Sequence, residues 1–155
     1  MHPWHEVGDR VFVRRYPFLD QTIGAVIGDD RVLIVDTRST TLQARELIGD
    51  LRQLTRLPWI VVNTHVHFDH AFGNGAFRPC EIWAHQGCAE ALRLHGPAQR
   101  ENVVRWVPDL ARELNGTPLD PPDRTFEEWA ELDLGGRRAE LRHLGRGHTD
   151  HDVIV

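Results

Sequence analysis

Three histidines and an aspartate crowd into one short stretch of the segment NTHVHFDHAFGN, residues 63–74. In an extended backbone, His65 and His67 would project from the same side. Asp69 would continue that spacing and His70 would turn another way, so one segment could present ligands to two adjacent points. Neutral imidazole nitrogens and carboxylate oxygens are ligand types that zinc accepts. The spacing therefore predicts a metal site, with coincidence in a histidine-rich chain as the alternative.

Composition limits the classes of protein to which the chain can belong. Its 155 residues fit a single domain over residues 1–155. With 18 basic and 23 acidic residues the formal charge is −5, and without a basic stripe this argues against a nucleic-acid partner. The opening residues lack the apolar run of a signal peptide, and no later segment approaches membrane-spanning length. We expect a cytoplasmic protein that acts on a small molecule and has no membrane partner; the sequence leaves its oligomeric state open.

The two cysteines, Cys80 and Cys88, make neither a disulfide framework nor a Cys-x-x-Cys pattern. Both are predicted to be small packing residues.

The first part of the chain predicts strands followed by a helix. β-Branched residues indicate strands over 10–16 and 22–27, and a third over RVLIVD ends in Asp36. A capping box and apolar residues at helical spacing then predict an amphipathic helix within 39–55. The capping residues are Thr40 and Gln43, and the apolar residues are Ala44, Leu47, Ile48 and Leu51.

The middle of the chain continues the alternation. Short continuous apolar runs predict buried strands over 59–63 and 81–84. Two helices are predicted over 88–95 and 99–107, the second ending or kinking at Pro108. The order β-α-β-α-β-α indicates an α/β fold.

A hairpin and one more histidine segment follow. Gly135-Gly136 predicts a hairpin between strands within 126–134 and 137–144, and Gly147-His148-Thr149 comes after it. Ligand sites in α/β sheets lie outside the carboxyl ends of strands. The ends of three separate strands are therefore predicted to converge on one site.

Three segments together resemble the metallo-β-lactamase superfamily of metal-dependent hydrolases: VLIVDT at 32–37, NTHVHFDH at 63–70 and GRGHTDHD at 145–152. The resemblance runs through essentially the whole chain. It implies an α/β (α+β) fold, a four-layer αβ/βα sandwich whose second half is incomplete in this chain. A second sheet that is incomplete would expose apolar surface, which predicts poor solubility or association.

The resemblance also implies a role for each candidate site residue. One metal would be held by three histidines, and a carboxylate with its neighbouring histidine would belong to a second metal. A further aspartate would support the site by hydrogen bonding. These are His65, His67 and His148 for the first metal, Asp69 and His70 for the second, and Asp36 as the supporting residue.

Two parts that the family normally supplies, a bridging aspartate and a further histidine, would lie beyond Val155. The chain can thus complete a three-histidine site but has two of the usual protein ligands for a second metal. Asp150 and Asp152 lie near His148 and are the candidates to substitute for the missing aspartate.

The leading hypothesis is a hydrolase that uses one or two Zn²⁺ ions, with iron as the alternative metal. A metal-bound water has a pKa of about 7, which supplies hydroxide to attack an ester, thioester, lactone or β-lactam-like substrate. Asp69 would be the catalytic residue, both as a metal ligand and as the group that orients the hydroxide.

Two other hypotheses stay open. One is a mononuclear iron dioxygenase acting on a sulfur substrate, because some relatives use two histidines and one carboxylate. The other is an inactive fragment that binds metal structurally.

The remaining histidines have weaker signals. His85 is predicted to cap a helix N-terminus. His151 lies beside the candidate site and faces either substrate or solvent. The isolated histidines, predicted to be structural, are His2, His5, His95 and His143.

Overall fold

The computed structural model describes residues 3–155, so the prediction for His2 lies outside the described residues. Seven strands form one sheet in which spatial order follows chain order. Their bounds are β1 (His5–Gly8), β2 (Val11–Tyr16), β3 (Gln21–Ile27), β4 (Val32–Val35), β5 (Trp59–Val62), β6 (Ile82–His85) and β7 (Arg124–Phe126).

The sheet changes character at β4. Strands β1 to β4 pair antiparallel, whereas β4 to β7 pair parallel. Parallel neighbours need crossover connections, and helices supply them here. The helices are α1 (Thr41–Leu54), α2 (Phe68–Ala71), α3 (Gln86–Trp106) and α4 (Ala111–Gly116). This confirms the predicted alternation and places the carboxyl ends of β4, β5 and β6 along one edge.

Helix α1 forms as its sequence predicts. The Thr40 hydroxyl accepts a hydrogen bond from the backbone N–H of Gln43 at 3.2 Å, which satisfies one of the free donors of the first turn. Ala44, Leu47 and Leu51 are fully buried, and Ile48 is half-buried against the same cluster. The helix therefore lays one apolar face on the sheet.

The two faces of the large sheet have different partners. Val32 and Ile34 of β4 pack on the α1 side, while Leu33 between them packs with Leu132 and Leu141 of the C-terminal hairpin. This alternation follows from the two-residue period of a strand. The described residues thus supply three layers: helices, the seven-stranded sheet and a second, two-stranded sheet.

The second sheet pairs β8 (Trp129–Asp133) with β9 (Arg138–Arg142) antiparallel. Gly135 and Gly136 connect them with φ values of 79° and 64°, a left-handed conformation that favours glycine. The predicted hairpin is confirmed, but its first strand begins later than expected. Phe126 instead ends β7, where it pairs with β6 and its ring packs between the two sheets.

The two helices predicted over 88–95 and 99–107 are one helix, α3, which runs through Pro97. Proline removes a backbone donor, but Leu92 and Val103 are buried on either side of it and hold both halves against the core. The helix ends before Pro108, as predicted. Strand β1, α2 and α4 had no predicted counterpart.

Cys88 is fully buried and Cys80 packs at the margin of the α1 cluster, which confirms both as packing residues. Within residues 3–155, no helix combines the length and the apolar composition needed to cross a membrane.

Candidate metal centre

Two connections at the carboxyl edge of the large sheet and the loop after β9 of the second sheet carry the candidate residues. Asp36 follows β4, and His65 and His67 follow β5. Hydrogen bonds extend the parallel ladder past the strand ends: the Asp36 N–H donates to Val62 at 2.9 Å and the Asn63 N–H to Trp83 at 2.9 Å. The backbone leading into the cluster is therefore fixed by the sheet itself.

His65, His67 and His148 come together although 81 residues separate the last two. The Nδ1 atom of His67 lies 3.1 Å from Nε2 of His65 and 3.0 Å from Nε2 of His148. One potential ligand atom from each ring lies within 4.8 Å of the others. Among the described residues, this histidine trio is the one group of three or more side chains with that geometry.

The trio fits a tetrahedral metal ion. Zinc bound to nitrogen at about 2.05 Å separates its ligand atoms by about 3.3 Å, close to the observed contacts. Hydrogen bonding alone cannot satisfy the three rings, because Nδ1 of His67 carries at most one hydrogen for two neighbouring nitrogens. A shared cation would satisfy every lone pair at once.

Asp69 and His70 lie beside the trio. Nε2 of His70 is 3.3 Å from a carboxylate oxygen of Asp69, and the rings of His65 and His70 have centroids 4.2 Å apart. The expectation of a continuous extended segment was wrong, because α2 begins at Phe68 and puts both residues on a helical turn. That turn brings Asp69 and His70 into contact beside the trio, although neither belongs to the cluster of three histidines.

Asp36 connects the histidine trio with the neighbouring pair of Asp69 and His70. It is 2% exposed, and one carboxylate oxygen accepts hydrogen bonds from Nδ1 of His70 at 2.7 Å and from the Thr64 hydroxyl at 2.8 Å. Its other oxygen accepts from the Thr64 N–H at 2.7 Å. The backbone of Asp36 has a φ of 69°, a conformation that costs a non-glycine residue energy and persists only where the surroundings hold it. Asp36 is thus hydrogen-bonded to His70, and its role as a supporting residue of a metal site stays a prediction.

The pKa values of the site histidines differ between the trio and the neighbouring His70. Burial, with the charge of His70 as the next influence, lowers the pKa of His65 to about 4. Burial and the charge of His148 likewise lower the pKa of His67. Burial also opposes protonation of His70, but hydrogen bonds and charges from Asp36 and Asp69 outweigh it and raise its pKa to about 10. The His65 and His67 rings are thus neutral at pH 7, the form that binds metal.

Buried polar side chains that the sequence did not single out hold the α2 turn. The backbone carbonyl of His70 accepts from the Thr37 N–H at 2.8 Å and from the Asn63 amide at 3.3 Å. The backbone carbonyl of Asp69 accepts from the Gln21 amide at 2.9 Å. The Asn74 amide donates to Asn63 at 2.8 Å, which holds Asn63 in place.

Gly73 is required at its position for a steric reason. A Cβ atom there would lie 2.0 Å from the backbone oxygen of Thr37 and 2.8 Å from the Cβ of Ala44. Only glycine lets the chain leave the site so close to the loop after β4.

The loop that carries His148 is held mainly by its own residues. The carboxylate of Asp152 accepts from the Thr149 N–H at 3.0 Å and from the Thr149 hydroxyl at 2.6 Å. Asp150 is exposed and pairs with Nδ1 of His151 at 2.7 Å. Neither aspartate belongs to the ligand cluster, so the suggestion that one substitutes for a missing metal ligand finds no geometric support.

The other histidines occupy structural positions. His85 caps α3, accepting a hydrogen bond from the Gly87 N–H at 3.0 Å, as predicted. His143 lies against it, with ring centroids 4.2 Å apart, and His5 and His95 are exposed. His151 is buried and contributes to the lining of a cavity beside α3, together with His85 and His95.

Comparison with known proteins agrees with this geometry. Residues 16–155 match the family described as the metallo-beta-lactamase superfamily. The chain belongs to this superfamily. A curated member, acyl-coenzyme A thioesterase MBLAC2 from Gallus gallus, is 30% identical over 151 residues, an alignment that covers 86% of this chain and 52% of the relative. The chain therefore spans about half the length of that curated metallo-β-lactamase relative.

Solved structures of metallo-β-lactamase proteins share the fold. DIM-1 metallo-beta-lactamase superposes with a TM-score of 0.68 at 19% identity, covering 98% of this chain and 63% of that one. FEZ-1 metallo-beta-lactamase from Legionella gormanii gives 0.71 at 15% identity, with 99% and 58% covered. The sec-alkyl sulfatase PisA1 gives 0.74 at 19% identity, with 98% and 29% covered. The α/β fold expected from the sequence is thereby confirmed, and this chain represents part of it.

Proposed function

We propose that the chain is a zinc-dependent hydrolase whose substrates are small thioesters. The observation that carries the proposal is the convergence of three imidazole nitrogens on one point, with Asp69 and His70 beside it. The thioester is favoured over an ester, lactone or β-lactam because the curated relative at 30% identity is described as an acyl-coenzyme A thioesterase.

In this proposal His65, His67 and His148 bind one Zn²⁺, and Asp69 with His70 binds a second when it is present. Such a metal, once bound, lowers the pKa of a coordinated water to about 7 and polarises the carbonyl that is attacked. The protein supplies neutral imidazoles at the first point, since burial keeps His65 and His67 unprotonated.

Asp69 is the residue that orients the attacking water. Burial alone would raise its pKa, but the hydrogen bond and charge of His70 outweigh burial and hold the pKa of Asp69 below its usual range. An ionised carboxylate accepts hydrogen bonds only, so Asp69 can align the water without losing its charge at neutral pH. Its placement next to the histidine trio puts that acceptor within reach of the reacting atoms.

The donor set supports the hydrolase over the iron dioxygenase alternative. A mononuclear oxygenase site uses two histidines and one carboxylate on one face of the iron. Here the converging set consists of three nitrogens, and the nearest carboxylate, that of Asp69, is paired with His70. All-nitrogen ligation favours zinc.

The first test is the metal content of the purified 155-residue chain, measured by elemental mass spectrometry. We expect at least one equivalent of zinc, lost in His67→Ala and retained in His5→Ala, which replaces an exposed histidine on β1. Iron in place of zinc, or zinc retained in His67→Ala, would contradict the proposed metal centre.

The second test is turnover by the zinc-loaded chain. Acyl-coenzyme A thioesters of several chain lengths are compared with an aryl ester, a lactone and a β-lactam, and thiol release or ring opening is followed. Thioester hydrolysis that disappears in Asp69→Asn, with zinc still bound, supports the assignment. Zinc binding without any thioester turnover rejects the proposed substrate class for this chain.

A further inference from the structure

We propose that the hydroxyl of Thr64 is a positioning group that fixes the orientation and tautomer of His65 and couples the two metal points through Asp36. The inference rests on the proposed function in one respect only, that a metal binds the histidine trio. Thr64 itself provides none of the ligand atoms in that cluster.

The direction of the hydrogen bonds follows from the groups involved. The Thr64 hydroxyl lies 2.8 Å from a carboxylate oxygen of Asp36 and 3.0 Å from Nδ1 of His65. An ionised carboxylate can only accept, so the single hydroxyl hydrogen points to Asp36. The hydroxyl oxygen is then the acceptor for His65, and Nδ1 of His65 carries the hydrogen.

This arrangement leaves the lone pair of a neutral His65 on Nε2. That is the nitrogen that lies 3.1 Å from Nδ1 of His67 within the trio. A metal-binding histidine commonly has its second nitrogen held by such a partner, which fixes the tautomer and the angle of the ring. Thr64 therefore presents His65 in the one neutral form that can bind the metal at this point.

Asp36 extends the effect to the second point. The same carboxylate oxygen that accepts from Thr64 accepts from Nδ1 of His70 at 2.7 Å. The order His65, Thr64, Asp36, His70 is thus one chain of hydrogen bonds that joins a ligand of each point. A change at Asp36 reaches both ends, because Thr64 and His70 donate to the same carboxylate oxygen.

The backbone of Thr64 has separate partners. Its N–H donates to Asp36 at 2.7 Å, and its carbonyl accepts from the Val153 N–H at 2.8 Å, which ties the end of the His148 loop to the site. Valine has nearly the same shape as threonine and keeps both backbone contacts. Thr64→Val therefore removes the hydroxyl with little other change.

The test compares zinc affinity, measured by competition with a chelating dye, in three variants. Thr64→Val removes the hydroxyl and Thr64→Ser keeps it. The control is Thr117→Val, because Thr117 is 2% exposed and its hydroxyl also donates once, to Glu113 at 2.8 Å, and accepts once, from the Thr41 N–H at 3.0 Å, far from the trio.

We expect Thr64→Val to weaken zinc binding by about 10- to 100-fold, the usual effect of losing a partner of a metal-bound histidine. Thr64→Ser should recover most of the loss, and Thr117→Val should bind zinc like the parent chain. The tautomer is a second readout: nitrogen-15 NMR of the metal-free parent should show the His65 hydrogen on Nδ1, and Thr64→Val should show a mixture.

The outcomes separate this inference from the proposed function. A parent chain that binds no zinc rejects the proposed metal centre itself. A parent chain that binds zinc with unchanged affinity and His65 tautomer in Thr64→Val rejects the role of Thr64 alone. An unchanged zinc affinity in Thr64→Val together with a loss in Thr64→Ser would mean that the methyl group packs, because valine keeps that methyl group and serine lacks it, and would also overturn the inference.

Discussion

The two loops that supply the histidine trio are held in opposite ways. The loop after β5 carries His65 and His67 and runs directly into α2, where side chains from other parts of the fold hold it. The loop after β9 carries His148, which is exposed, whereas His65 is 8% exposed. One loop is part of the core and the other lies over it.

The partners of the first loop come from distant parts of the chain. Gln21 of β3 donates to the backbone carbonyl of Asp69, and the Thr37 hydroxyl, after β4, donates to that of His70. Asn74, after α2, donates to the side chain of Asn63. Buried polar groups satisfied in this way specify a single arrangement. The His65 and His67 rings are therefore in place before a metal binds.

The second loop is held by its own hydrogen bonds and is anchored at its end, where Val153 is buried in a core cluster. Asp152 holds Thr149 within the loop, and the Val153 N–H donates to Thr64 at 2.8 Å. Ile154 adds a single bridge to Arg142 of β9. His65 and His67 are thus held by buried contacts of the fold, whereas the exposed His148 ring reaches His67 from the loop after β9.

The largest expected effect comes from removing the Asp36 carboxylate, which supports the loop after β5. Asp36→Ala strands three donors, from Thr64 and His70, in a buried position. We expect the free energy of unfolding of the metal-free chain to fall by about 3–4 kcal/mol, because each orphaned buried donor is costly. Denaturant unfolding measures it. A loss below about 1 kcal/mol would place Asp36 among the ordinary surface carboxylates and end the distinction between the two loops.

A steric change tests the same rigid region without touching a polar group. Gly73→Ala puts a methyl group against the backbone of Thr37, and we expect a loss of about 2–3 kcal/mol in the free energy of unfolding. Gly49→Ala is the matched control, since a Cβ atom at this position in α1 meets nothing within 4 Å. That control should gain about 0.5–1 kcal/mol from helix propensity. Equal effects in thermal or denaturant unfolding would show that the site region can relax.

For the loop that carries His148, we expect a different pattern in Asp152→Ala. The hydrogen bonds to Thr149 are lost, but Thr149 and Asp152 are both only half-buried and water can replace part of them, so the free energy of unfolding should fall by about 1 kcal/mol or less. Zinc affinity should fall more clearly, because His148 is no longer held toward His67. A zinc affinity that stays unchanged, or a loss of several kcal/mol in the free energy of unfolding, would contradict this role for Asp152.

The sequence predicted the parts of the site whose spacing is local. His65, His67, Asp69 and His70 lie within one segment, and Asp36 ends a strand that is easily recognised by its apolar run. The hairpin before His148 was recognisable from its paired glycines. Strand ends, helix caps and turns depend on neighbours along the chain, so patterns in the sequence report them.

The supporting contacts could not be predicted in the same way. Gln21 lies 48 residues from the Asp69 carbonyl that it holds, and nothing in its surroundings along the chain marks it. The three-residue strand β7 pairs parallel with β6 only because α3 returns the chain there, and Pro97 within α3 looked like a break. Tertiary packing decides these features, and local propensity is overridden.

The smallest expected effect concerns the reactivity of Cys80, which packs beside the core under α1. Cys80 precedes β6 and packs at the margin of the α1 cluster; burial, opposed by the charge of Arg78, raises the pKa of its thiol to about 11. A raised pKa means less thiolate at pH 8 than for a free cysteine, so alkylation by iodoacetamide should be slow there and should accelerate up to about pH 11. Mass spectrometry after timed labelling measures this, with the urea-unfolded chain as the reference for both cysteines. Rapid labelling of Cys80 at pH 8 in the folded chain would show that the margin of this cluster opens readily, and that rigidity is confined to the hydrogen-bonded turn at the histidines.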